Sequence, residues 1–187
     1  MGGMTASADR PFRILVVCTG NICRSPMGEV VLRERLAEAG LDGAVEVASA
    51  GISDEEHGRP IDRRAGAVLA EHGYPVPQHR AHQVAPHELA EYDLALAMTN
   101  QHARALRLQA ERDDDPRTAE VRLWREFDDT APDLATAGEY DLDVADPWYG
   151  DQEGFYDTLD VIERVSDALV EHLRERLGRS VSAVPSS

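Results

Sequence analysis

The chain has 187 residues, 42% of them hydrophobic, and a formal charge of −16 from 35 acidic and 19 basic residues. That length suits one domain, 1–187, around a single core, and the acidity argues against nucleic acid, whose phosphates need a basic surface. No apolar run approaches the roughly 18 residues of a membrane span, and the first residues carry neither a secretion signal nor a myristoylation pattern, so a cytoplasmic location without membrane contact is expected.

Residues 1–10 read as a flexible leader. Phe12 to Cys18 is a continuous β-branched run, the pattern of a buried parallel strand. Ser25 and Pro26 predict the start of a helix, with Ser25 as N-cap and Glu29 in the first turn, stopped near Ala39 by Gly40. A second strand is predicted over Val45 to Ala50, and a helix over Asp62 to His72, capped by Asp62 and ended by Gly73. Leu94 to Met98 is a third strand, Asn100 to Gln109 a helix, and Val121 to Trp124 a fourth strand. Arg125 to Gly150 is a long acidic loop, a length usually tied to function or disorder. Glu153 to Leu177 is an amphipathic helix, and 179–187 a small polar tail expected to be flexible. Strands alternating with helices predict an α/β fold: a doubly wound four-stranded parallel sheet flanked by helices. Such sheets bind ligands beyond the carboxyl ends of their strands, and Cys18 is the first such end.

Cys18-Thr19-Gly20-Asn21-Ile22-Cys23-Arg24-Ser25 therefore occupies a strand-to-helix junction. The helix N-terminus offers unpaired N–H groups and partial positive charge, and a loop of this length can curl its amides into a phosphate nest. Gly20 and Asn21 tolerate the left-handed backbone that curling needs. Arg24 can grip two phosphate oxygens. Cys18, in the same positive field, is expected to be a thiolate poised for in-line attack on phosphorus, with Ser25 donating a hydrogen bond to it. A Cys18–Cys23 disulfide would span too short a loop to serve as scaffold, and no Cys/His cluster suggests zinc, so no metal or cofactor is expected. Cys23 is instead the thiol able to capture an oxidised Cys18 reversibly.

Residues 17–26 match the signature of the low-molecular-weight protein tyrosine phosphatase family, which the chain resembles from about Phe12 to Leu177. The resemblance implies a phosphocysteine on Cys18, a phosphate loop running from Thr19 to Arg24, and Ser49 and His79 as supports for Asn21. It also implies that Asp146, in Asp146-Pro147-Trp148-Tyr149-Gly150, is the general acid, with Asp143 and Asp151 as rival carboxylates. Expelling a phenolate whose acid has a pKa near 10 demands such a proton donor. Ile22, Glu55, Glu56, Trp148 and Tyr149 are the expected substrate walls; Glu55 stands where relatives often carry an aromatic ring. The implied partners are tyrosine-phosphorylated proteins, with free phosphate as product. Two rivals share the scaffold. Arsenate reduction needs later shuttle cysteines, and none follows Cys23. Arginine-phosphate specificity goes with Thr where Ile22 stands. The remaining histidines have no ligand spacing and are expected at the surface.

Overall fold

The computed structural model describes residues 10–182, with side chains to residue 178. The expected leader lies outside the described residues apart from Arg10, and so does the end of the tail. Four parallel strands form one sheet: β1 (Phe12–Cys18), β2 (Val45–Gly51), β3 (Leu94–Ala97) and β4 (Glu120–Leu123), in the order β2-β1-β3-β4. The helices are α1 (Arg24–Glu38), α2 (Arg63–Glu71), α3 (Asn100–Asp113) and α4 (Gln152–Ser182).

Strand alternation divides the core. Ile14, Val16 and Cys18 face α1, α2 and α4, while Leu15 and Val17 face the other layer with Ala103 and Leu106 of α3. Helices therefore cover both faces, as the doubly wound pattern requires. On α4, Phe155, Leu159, Ile162, Val165, Leu169 and Leu173 are fully buried at three- and four-residue spacing, a helical stripe. Burying each such side chain contributes about 1.5–3 kcal/mol.

Several boundaries differ from expectation. α1 begins at Arg24, with Cys23 as N-cap and no side-chain cap; Ser25 lies inside the first turn, because its hydroxyl is spent on Cys18 and its neighbours. Glu29 falls beyond that turn and binds Ser49 and Arg33. α3 runs on to Asp113, ending at Asp114 in the left-handed conformation (φ 47°). α4 continues through 179–182, part of the expected tail. Trp124 begins a 3₁₀ turn instead of ending a strand.

The acidic loop is pinned at several points. Asp128 has a fully buried carboxylate that accepts from Arg164, Arg125 and Thr130, contacts that hold it far below the usual carboxylate range. Arg125 also donates to the carbonyls of Asp141 and Asp143. Val144 N–H then bonds Met98 at the end of β3, which delivers the following residues to the carboxyl edge of the sheet.

Candidate active site

The chain leaves β1 toward β2 on one side and later returns to β3 on the other, so the carboxyl end of β1 is the switch point of the sheet. The loop from Cys18 to Arg24 sits there. Two of its carbonyls are taken by the residues that follow β2: Ile52 N–H bonds Cys18 O at 3.0 Å and Ser53 N–H bonds Thr19 O at 3.1 Å. Among the described residues no acceptor takes the N–H groups of Gly20, Ile22 or Cys23. Unpaired amides at a helix N-terminus are an anion site.

Asn21 fixes the curl. It is fully buried with φ 59°, a conformation Asn tolerates better than most residues. Its Nδ2 donates to Ser25 Oγ (2.9 Å) and Ser49 Oγ (3.0 Å), its Oδ1 accepts from His82 N–H (3.1 Å), and its carbonyl meets His79 Nε2 at 2.5 Å. Every polar atom of the Asn21 side chain is thus satisfied. Ser49 in turn donates to Glu29 at 2.5 Å, so a carboxylate terminates the network. At Gly51 β2 runs hard against the loop: a Cβ there would lie 2.6 Å from Thr19 O, so any larger residue must displace the loop backbone.

Cys18 and Cys23 are both free thiols, 3% and 4% exposed. Cys18 Sγ lies 3.0 Å from Ser25 Oγ, which already accepts from Asn21 and so has its hydrogen available for sulfur or for Ala50 O at 3.3 Å. Burial pushes the Cys23 thiol well up, helped by the nearby Asp62 and Asp146 carboxylates, so it rests protonated.

Arg24, 4% exposed, donates to Val144 O (2.9 Å) and to Asp146 Oδ2 (3.1 Å), while its Nε is buried without a partner. Asp146 Oδ1 accepts from Trp148 N–H at 3.1 Å, which starts the 3₁₀ turn Pro147–Tyr149. The rival carboxylates are occupied elsewhere: Asp143 accepts from Asn100 N–H at the start of α3, and Asp151 from Glu153 N–H at the start of α4. Cys18, Thr19, Gly20, Ile22, Cys23, Arg24, Glu55, Glu56, Asp146, Trp148 and Tyr149 line one cavity of about 150 Å³. Trp148 and Tyr149 stand edge to face, centroids 5.1 Å apart, and both are substantially exposed. Glu56 packs over Gly20 and pairs with Arg59 at 3.5 Å.

Other contributors lie outside the sequence reading. Arg64 lies over the Phe155 ring and donates to the carbonyls of Trp148 and Gly150, tying the turn to α2. His102 is not a surface residue: it is 1% exposed, and its Nε2 lies 2.8 Å from Thr19 Oγ1. α3 starts at the switch point directly after β3, and that placement was the one available signal for a site histidine in its first turn.

The chain matches the low molecular weight phosphotyrosine protein phosphatase family over residues 13–180. It is 43% identical over 166 residues to a low molecular weight protein-tyrosine-phosphatase of Streptomyces coelicolor, covering 89% of this chain and 96% of that one. A low molecular weight protein-tyrosine phosphatase A of Mycobacterium tuberculosis is also 43% identical, over 171 residues, with 91% and 96% covered. Among solved structures, YfkJ from Bacillus subtilis superposes with a TM-score of 0.77 at 26% identity, covering 91% of this chain and 99% of that one. The YwlE arginine phosphatase, solved with a phosphorylated active-site serine, gives a TM-score of 0.71 at 28% identity, with 87% and 96% covered.

Proposed function

This chain belongs to the low molecular weight phosphotyrosine protein phosphatase family, a family of hydrolases acting on phosphoproteins, and from that premise we propose that it hydrolyses phosphotyrosine through a phosphocysteine on Cys18. The observation that carries this reading is one shared cavity. It holds the Cys18 thiol, a loop of unpaired amides, an arginine with an unsatisfied buried Nε and a carboxylate on that same arginine. A phosphoryl group would satisfy the amides and Arg24 Nε together, which none of the described residues does.

In the first step Cys18 Sγ attacks phosphorus, the bond from phosphorus to the phenolic oxygen breaks, and Asp146 passes its proton to that oxygen. In the second, water attacks phosphorus, Asp146 takes its proton, and the sulfur–phosphorus bond breaks to release phosphate and restore Cys18. Ser25, oriented by Asn21, donates to the sulfur as negative charge returns to it. Cys23 takes no part in turnover; its role is to capture an oxidised Cys18. Trp148 and Tyr149 flank the aryl ring, with Ile22 beside them. The related arginine phosphatase, solved as a Cys-to-Ser variant with its active-site serine phosphorylated, supports a phosphoryl carrier where that protein has a cysteine. Ile22, bulky and unable to hydrogen-bond, favours an aryl phosphate over phosphoarginine.

The test is kcat/KM on matched phosphotyrosine, phosphoserine and phosphoarginine peptides. Phosphotyrosine should dominate; a preference for phosphoarginine would overturn the specificity. In the same panel, Glu55 and Glu56 at the cavity wall should favour peptides with Lys or Arg beside the phosphotyrosine. Exposed charge pairs contribute about 0–1 kcal/mol each, so the preference should be a few-fold and fade with salt. Glu55→Gln with Glu56→Gln should flatten it. Equal rates on basic and acidic peptides at low salt would place both carboxylates off the peptide's path.

A further inference from the structure

The first turn of α3 carries a buried group that the two steps above leave unused. His102 Nε2 lies 2.8 Å from Thr19 Oγ1, and its Nδ1 is buried with no hydrogen-bond partner. Thr19 follows Cys18 directly and lines the cavity, and its Oγ1 also accepts from Arg24 at 3.5 Å. Burial, with the Arg24 guanidinium nearby, pushes the imidazole down to about 3, so the ring is neutral and carries one N–H.

Where that hydrogen sits decides what Thr19 can do. On Nδ1 it would be a buried donor without an acceptor, the rarer and costlier kind of orphan. On Nε2 it is donated to Thr19 Oγ1, and only a lone pair on Nδ1 goes unmatched. The threonine oxygen then accepts twice, from His102 and from Arg24, which fills both its lone pairs. Its own hydrogen can go to neither neighbour and is left for the cavity.

We propose that His102 is a positioning residue that donates from Nε2 to Thr19 Oγ1 and thereby sets the Thr19 hydroxyl as a further donor to the phosphoryl group held over Cys18. This deepens the reading of the cavity as a phosphatase site and rests on it. The hydroxyl adds a side-chain donor to a ring otherwise built from backbone amides and Arg24. It sits on the Arg24 side of the loop, where it can share in holding the equatorial oxygens over which the transferring group's charge is spread. A family member lacking either partner of this pair would bind the anion without that donor.

The experiment measures inorganic phosphate and vanadate affinity, with kcat/KM on an aryl phosphate, for Thr19→Val, Thr19→Ser, His102→Ala, His102→Gln and the Thr19→Val/His102→Ala pair. A hydrogen bond to a charged group is lost in Thr19→Val, so vanadate should bind about tenfold more weakly or worse, while Thr19→Ser stays near wild type. His102→Ala should lose about three- to tenfold and add nothing in the Thr19→Val background, since one residue acts through the other. His102→Gln, whose amide can reach as a donor, should recover most of the loss. The proposal is overturned if His102→Ala costs the same factor with and without Thr19, or if Thr19→Val leaves vanadate affinity unchanged. Should His102→Ala fail to fold, the Thr19→Val and His102→Gln affinities decide alone. Repeating phosphate binding in Cys18→Ser separates the two levels: hydrolysis by that protein would defeat the nucleophile assignment, whereas the anion affinities report on Thr19 and His102 in either case.

Discussion

Cys18→Ser should eliminate turnover, by on the order of 10⁴-fold or more, while phosphate still binds. A thiol is intrinsically nucleophilic and ionises far more readily than a serine hydroxyl, so the replacement removes the attacking group while barely changing its volume. The binding groups survive it. The loop amides are positioned by Asn21, whose contacts run to Ser25, Ser49, His79 and His82, and none of these depends on the sulfur. Arg24 is held by Val144 and Asp146, likewise independent of Cys18. Titrating inorganic phosphate against the variant, alongside an aryl phosphate assay, separates binding from chemistry. Lost binding together with lost turnover would mean that the substitution collapsed the loop.

Asp146→Asn should lower kcat by about 10²–10⁴, the usual range for a general acid. The change is nearly isosteric, and an amide oxygen can still accept from Trp148 N–H, so the turn should persist. What disappears is the proton for the leaving oxygen and the ion pair with Arg24 at 3.1 Å. The leaving-group series distinguishes the two losses. Phenols of low pKa depart unaided and should suffer least, so the variant's rate should fall steeply as the leaving-group pKa rises, while the wild-type rate stays nearly flat. A uniform loss across the series would assign Asp146 to holding Arg24 and not to proton transfer.

Much of this arrangement is legible in local sequence because local forces set it. Phe12 to Cys18 is a strand because its β-branched run is buried on both faces, and the sheet order puts its carboxyl end at the switch point. The capping role of Asp62 is equally local: its carboxylate accepts from Arg64 N–H two residues on. Ser25 shows where local reasoning fails. Its type and its place before Pro26 suit an N-cap, yet tertiary partners claim the hydroxyl and the helix starts two residues earlier than that, without a side-chain cap. Pro26 is tolerated there because N–H groups in the first turn lack intrahelical partners in any case. How the segment from Arg125 to Gly150 is held was not legible locally, because Arg125 and Asp128 also bond partners 16 to 36 residues away. His102 was harder to read for a related reason: its place in the first turn after β3 was the one local hint, and the contact it makes is with Thr19, 83 residues back.

The central claim is that the phosphoryl group passes through sulfur, and trapping it there tests that claim most directly. The wild-type enzyme would be mixed with an aryl phosphate, quenched in acid within the first turnovers, digested, and read by mass spectrometry with the released phenol counted in parallel. A single phosphoryl adduct on Cys18 is predicted, appearing with the first burst of phenol and disappearing as substrate is exhausted. A burst of phenol with the adduct on any other residue, or turnover with no adduct on Cys18 even when water attack is slowed, would contradict it.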